Sequence, residues 1–483
     1  MKIFDAIVIG SGMGGLTCAG ILAAGGMKVL VIEKHSSAGG YVSSFRRKGF
    51  LFDSAVDCIS GAGSGGLIHR VLEALGVAGD LKFLRVDPIR VSRFPDFDIA
   101  VDADIGIYKE RLVRLFPSES ISIANFFTRI SRAYSQMDSA LRAIMTGSYR
   151  FDMISGEVLR LMDRSYGDLL DEHFRDHRLK AVLSDRCPFI GLPPGGVSAS
   201  AMINLMMSYF DLGAFRPEGG FQHLADLIVE AIRRKGGEVV FGNGADRILL
   251  NPDNRCTGVR CESGEEYNAR HIVSNADFTH TFGKLIGGKY AELAADMREW
   301  HGISTSFFIL YAGVRGKLDA HSSLGYYPSY DMSRYFEPDM EFQADSTIGV
   351  TIASREDRHR APHGCETVVF HEMTGSHDIL DKGKCTGRIL DKAELIFPGI
   401  RERMELIEAA TPSTLRRYTG NCEGAAFGWR QIPGFKGPKR HRINNLYVAG
   451  HWGDFGGGVL AAAYSGAKAA CEIMTKEGIA HVI

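Results

Sequence analysis

Three glycines at fixed spacing, Gly10, Gly12 and Gly15 in the run GSGMGG, sit close to the amino terminus. Residues 6–9 before them form an apolar run suited to a parallel strand buried on both faces. Residues 16–24 after them carry apolar and small side chains at helical spacing, and Gly25-Gly26 closes that helix. Between a strand and a helix, this spacing reads as a dinucleotide-binding turn. Gly10 permits the tight turn, Gly12 admits a pyrophosphate to the backbone, and Gly15 lets helix and strand pack closely; the helix N-terminus offers N–H groups and positive dipole to the phosphates. A second strand, 28–32, ends at Glu33, where a carboxylate suits the adenosine ribose hydroxyls and repels the 2′-phosphate of NADP. NAD and FAD remain. Gly39-Gly40 follow Glu33-Lys34 in position to flank a long cofactor. The tail run AGHWGDFGGGV brings a further glycine-rich turn, between a strand at 446–449 and a helix at 459–476, to the same sheet edge. One cofactor touched from both ends of a long chain points to FAD in an extended pose.

Side chains that would act on a substrate are sparse. His451 is a titratable group inside the tail turn, next to Trp452, and these two are the catalytic candidates. The alternative for His451 is a structural hydrogen-bonding histidine. Trp429 and Trp452, two of three tryptophans, either wall the cofactor or pack in the core. The Met-rich stretch 201–210 (AMINLMMSYF) reads as a pliable apolar tunnel wall, a membrane-dipping segment, or a helix packed on the core. His173 and His177 stand four apart on an expected helix, but nothing nearby completes a ligand set, so no metal is expected. The basic run from Arg430 to Arg442, with Lys436, Lys439 and Arg440, reads as a solvated loop, with attraction to anionic lipid headgroups as the alternative.

These groups need a scaffold in which distant segments meet. Helical periodicity takes over from about 107 to 210, an α/β pattern returns near Gly219, and short strands lead to the tetrapeptide SNAD at 274–277. A second variable block runs from about 285 to 409, with strands expected at 306–312 and 367–371. The fold class is α/β: a Rossmann-like domain assembled from 1–80, 215–284 and 410–483, plus a mixed-sheet substrate domain with a helical insertion or lid from 81–214 and 285–409. The 483 residues carry 56 basic and 57 acidic side chains, a net charge of −1 that argues against a nucleic-acid partner. Glycine is abundant, 57 residues against 15 prolines, so the excess marks turns and close approaches and not a disordered tract. Nine scattered cysteines suit a reducing compartment. No apolar run is long enough to span a bilayer; the expectation is a cytoplasmic protein with room for peripheral membrane contact.

Several stretches together carry a family resemblance: EKHSSAGGYVSSFRRKGFLFD, PEGGFQHLADLIVEAIRRKGGEVVFGNGADRI, SNAD, ATPSTLRRYTGNCEGAAFGW and NNLYVAGHWGDFGGGVLAAAYSGAKAA. In this order they resemble the phytoene desaturase-like flavoproteins. That group holds carotenoid desaturases, carotenoid cis–trans isomerases and retinol saturases, within the amine-oxidase-like FAD superfamily. The resemblance implies pyrophosphate contacts from Ser11, Gly12, Gly14 and Gly15, and a ribose contact from Glu33. Lys34, Gly39 and Gly40 would flank the adenosine and ribityl portions, Ala245 would meet adenine, and Gly450, Gly457, Gly458 and Val459 would lie along the ribityl chain and flavin. Two positions depart from the pattern. Tyr41 stands where amine-oxidase relatives carry arginine, which counts against amine oxidation, and His451 stands where many relatives carry aspartate, with Asp454 three positions on. The implied function is FAD-dependent desaturation, saturation or isomerisation of a hydrophobic polyene or isoprenoid, with oxygen or a quinone open as electron acceptor. Two alternatives remain: oxidation of a smaller natural-product intermediate, and a non-catalytic lipid binder of the GDP dissociation inhibitor type.

Overall fold

The computed structural model describes residues 3–337, 343, 345–375, 380–435, 437 and 441–483. Two seven-stranded sheets organise them. The first places Ile3–Ile9 between Val29–Ile32 and Glu266–Ser274, all parallel, with Glu238–Val240 beyond Val29–Ile32. The other edge of Glu266–Ser274 is shared. Its start pairs with the antiparallel ribbon of Cys256–Cys261 and Ala245–Leu250, and its end pairs in parallel with Leu446–Val448. Both faces of the central strands are covered, which is why they read as unbroken apolar runs. Ala6, Val8, Val29 and Val31 pack under the helices Met13–Ala24, Phe221–Arg234 and Val459–Lys476. Ile7, Ile9, Leu30 and Ile32 face the opposite core, with Phe278, Trp429 and Trp452.

The second sheet runs Met404–Ala410, Ser306–Arg315, Cys365–Thr374, Ile348–Thr351, Ser323–Tyr326, Arg90–Arg93 and Asp98–Val101. Its last two strands come from a stretch that the sequence pattern did not resolve as strand, because four-residue strands leave too short a period to see. Helices from Ile105–Leu115 to Ala199–Leu212 follow and make their own core.

One sequence expectation is corrected in this region, and one left open is decided. His173 and His177 do not share a helix. Tyr166–His173 ends there, and Asp176 caps a new helix, accepting from the Arg178 and Leu179 amides at 2.8 and 3.4 Å. His173 Nδ1 lies 3.0 Å from the Leu169 carbonyl, and no metal-competent cluster occurs among the described residues. In Ala199–Leu212, Met202, Met206 and Met207 turn into the helical core. Lys436, Lys439 and Arg440 of the basic run lie outside the described residues. No helix among the described residues is long and apolar enough to cross a membrane.

Candidate functional site

A single cavity of about 840 Å³ runs from the first glycine turn into the space between the second sheet and the helices. Gly10, Gly12 and Gly14 line its near end, with Glu33, Lys34, Gly39, Gly40, Tyr41 and Ala245. From the far end of the chain come Gly450, His451, Gly457, Gly458 and Val459. Ser11, Gly15 and Trp452, the remaining sequence candidates, do not line it.

The glycines are required by how closely two turns approach each other. A Cβ on Gly14 would sit 2.6 Å from the Gly450 backbone, and one on Gly15 would sit 2.1 Å from the Gly10 carbonyl. Asn275 lies at the centre of this contact. A Cβ on Gly12 would come 2.9 Å from its Nδ2, and one on Gly450 2.4 Å from its Oδ1. The SNAD tetrapeptide was visible in the sequence, but nothing there showed that its asparagine is what both glycine turns close upon.

Glu33 is buried, and its carboxylate is held from its own chain. Oε2 accepts from the Ser11 amide at 2.8 Å and the Ser11 hydroxyl at 2.6 Å; Oε1 accepts from the His35 amide at 2.9 Å. Ser11 therefore serves as a clamp on Glu33 and is turned away from the cavity. A carboxylate has about four accepting positions, so room is left for a hydroxyl on the cavity side. A glycine cradle at a helix N-terminus with a fixed carboxylate at the next strand end fits the phosphates and adenosine ribose of FAD. Lys34, exposed beside them, has its pKa lowered by partial desolvation, against the opposing pull of Glu33 and Glu262.

Around the tail turn, Asn421 organises the side chains. Its Oδ1 accepts from the Trp452 indole at 2.9 Å and lies 3.1 Å from His451 Nε2. An indole N–H only donates, which fixes Asn421 with its oxygen inward, so His451 donates from Nε2. Burial holds this imidazole neutral, its pKa pushed down to about 4, with Asp277 and the Ala426 carbonyl pulling the other way. Such a ring positions the turn; as a base at neutral pH it is weak. Trp452 is in the core. It stands edge-to-face with Trp429 at 4.9 Å and accepts the Trp429 indole N–H on its carbonyl at 3.1 Å. Tyr41, in the arginine position of amine-oxidase relatives, donates its hydroxyl to the Ala425 carbonyl at 2.8 Å, and burial pushes its pKa up to about 12.

Beyond the tail turn the lining becomes apolar. Ile144, Val158, Met162 and Leu205 come from the helices, Ile154 from a bend between two of them, and Phe307, Ile309 and Val369 from the second sheet. Helix Ala199–Leu212 presents Ser200, Ala201, Asn204, Leu205 and Ser208 to this space. The cofactor end and the apolar end are one continuous chamber.

Residues 13–474 match the family described as flavin containing amine oxidoreductase. The chain belongs to that family. It is an FAD-dependent oxidoreductase. Among relatives of this flavin-containing family, the chain is 28% identical to prolycopene isomerase 1, chloroplastic, of an Oncidium hybrid cultivar, covering 99% of this chain and 84% of the relative. It is 26% identical to the neurosporene-forming phytoene desaturase of Rhodobacter capsulatus, covering 95% and 92%. Among solved structures, an oxidoreductase from Methanosarcina mazei superposes with a TM-score of 0.70 at 18% identity, over 98% of this chain and 100% of that one.

His371, His441 and His451 all have their pKa pushed by burial to about 4, against an ordinary 6.5. Between those values the unfolded chain binds more protons than the folded one, so stability is lost as pH falls from about 6.5 towards 4. The expected result is a Tm that drops across this window, measured by thermal unfolding of the holoprotein. The drop should be shallower in His451→Gln; an identical slope would mean that the imidazole is not held neutral.

Proposed function

We propose that this flavoenzyme acts on carbon–carbon bonds of a hydrophobic polyene or isoprenoid, by desaturation, saturation or isomerisation. The observation that carries this reading is the continuity of the cavity: the FAD cradle opens directly into an apolar sleeve between the second sheet and the helices. The names of the isomerase and desaturase relatives support the same substrate class. Bound FAD supplies hydride acceptance and donation. The chain's own residues hold and orient: the glycine turns and Glu33 fix the cofactor, Asn421 and His451 fix the tail turn, and Ile144, Val158, Leu205 and Ile309 hold an apolar chain and exclude water. Chemistry of this kind needs few acid–base side chains, which matches the neutral His451 and the core position of Trp452. A GDP dissociation inhibitor-like role is disfavoured, since a binder without flavin has no use for two glycine turns that meet and a clamped carboxylate.

We place the protein in the cytoplasm with its helical insertion against a membrane face, from which an apolar substrate enters. Tyr149, Met153 and Leu159 are large and exposed there, beside the lining residues Ile154, Val158 and Met162. Oxygen or a quinone then closes the electron balance in the oxidative case. The test is anaerobic bleaching of the holoenzyme's flavin across a panel of polyenes, other isoprenoids, and smaller amines and acids, with the reduced enzyme run in parallel for reoxidation and for cis–trans change. Turnover or bleaching confined to the polyenes and isoprenoids is expected; a response confined to small amines or acids would overturn the reading.

A further inference from the structure

Among the polar side chains that the second sheet contributes to the cavity, two, Arg90 and His371, lie across its surface. In one register row Ile309, His371, Gly349, Gly325 and Ser92 stand side by side across five strands. Two neighbours in the row are glycine, and glycine inside a strand weakens it and marks a place where something approaches closely. Here the approaching groups are visible. A Cβ on Gly349 would fall 2.0 Å from His371 Nε2, and a Cβ on Gly325 would fall 2.1 Å from Arg90 Nη2. The imidazole and the guanidinium occupy the two vacated side-chain positions, and both line the cavity.

Four arginines are buried in this region. Arg216 is held by Asp57 and Glu356, and Arg360 by Asp53 and Asp357. Arg90 and Arg186 have no carboxylate within ion-pair distance among the described residues, and of these two Arg90, 3% exposed, lines the cavity. Nη2 donates to the Tyr327 hydroxyl at 3.1 Å, the Phe189 ring face lies 4.8 Å away, and Nε has no hydrogen-bond partner among the described residues. The nearby acids are engaged elsewhere. Asp57 Oδ1 faces Arg216 and its Oδ2 accepts from Ser323 at 2.7 Å, while Asp185 Oδ2 accepts from Ser92 at 2.6 Å. A guanidinium with five donors, desolvated and incompletely paired, is costly unless an acceptor arrives. His371 is kept neutral by burial, with Arg90 pushing the same way and Asp57 opposing.

We propose that Arg90 and His371 receive an oxygen-bearing end of the hydrophobic substrate, a carboxylate or carbonyl at the terminus of the apolar chain. This rests on the polyene reading of the same cavity and narrows it: the preferred substrate is an oxygenated chain and not a pure hydrocarbon. Arg90 supplies the donors for a terminal oxygen, and the His371 ring borders it on the same sheet face.

The experiment titrates the yellow holoenzyme anaerobically with three conjugated isoprenoid chains of one carbon skeleton, ending in a carboxylate, an aldehyde or a methyl group. Binding is read from the flavin difference spectrum. The acid or the aldehyde is expected to bind at least about 10-fold more tightly than the hydrocarbon, the size of a hydrogen bond to a charged group. That preference is expected to vanish in Arg90→Met and to survive in part in Arg90→Lys. Equal binding of all three chains by the wild type overturns this inference and leaves the polyene reading standing, and so does a preference that persists in Arg90→Met. Binding of none overturns both. The wild-type ratio decides the matter even if a variant fails to retain flavin.

Discussion

Replacing Gly14 by valine is expected to give a protein that purifies almost without flavin. A Cβ at this position meets Gly450 Cα and N at 2.6 Å and Asn275 Oδ1 at 2.7 Å. Two of those atoms are backbone and cannot rotate aside, so the opening helix and the tail turn must separate. Overpacking of this kind costs at least about 1–3 kcal/mol, and the branched valine adds to it. If, as we propose, the two turns are the walls of the FAD cradle, the loss falls on cofactor affinity, by on the order of 10-fold or more. The measurement is the flavin-to-protein absorbance ratio after purification, and again after dialysis against excess FAD. Gly387→Ala is the control: it lies in the helix Lys382–Ile396 with open space around its Cβ position, and it should keep its flavin. Full flavin occupancy in Gly14→Val would show that the two turns do not form the cradle together.

The second large effect is on stability. Arg360 is fully buried and binds Asp53, Asp357 at 3.3 Å and the Pro217 carbonyl at 3.1 Å. Its partners are themselves structural. Asp53 accepts from Ser44 at 2.6 Å and the Phe221 amide at 2.9 Å, and Asp357 accepts from the Gly219 amide at 2.8 Å. One guanidinium thus ties the hairpin of Ser44–Arg47 and Phe50–Asp53, the start of helix Phe221–Arg234 and the second-sheet region into one unit. Arg360→Met leaves two buried carboxylates without their cation, at a cost of about 3–5 kcal/mol. A fall in Tm on the order of 10 °C is expected, with Arg360→Lys intermediate because it restores charge but not the fork. A Tm within a degree or two of wild type, by calorimetry on the holoprotein, would show that the network contributes little.

The legible and illegible parts of this molecule divide along physical lines. GSGMGG, Glu33 and the tail turn could be read because local backbone demands fix them: a tight turn, a close approach and an acid at a strand end each leave a residue type at a set spacing. The assembly around Asn275 and Asn421 could not be read, because each asparagine acts on partners far away in the chain and nothing in the neighbouring residues marks it. Arg90 and His371 were missed for a related reason. Their signal is a pair of glycines, Gly325 and Gly349, that becomes meaningful only once strand register sets them side by side. The methionines of 201–210 illustrate a further limit. Apolar periodicity marks a buried face, but it does not distinguish a core from a cavity wall, and here the cavity is faced by the serines, Asn204 and Leu205 instead.

More than four hundred residues separate Gly14 from Gly450, yet their backbones touch. During synthesis the first glycine turn leaves the ribosome long before its counterpart exists, so a nascent chain displays half a nucleotide receptor for most of its translation. On the proposed reading of the cradle, loading with flavin therefore awaits release of the tail.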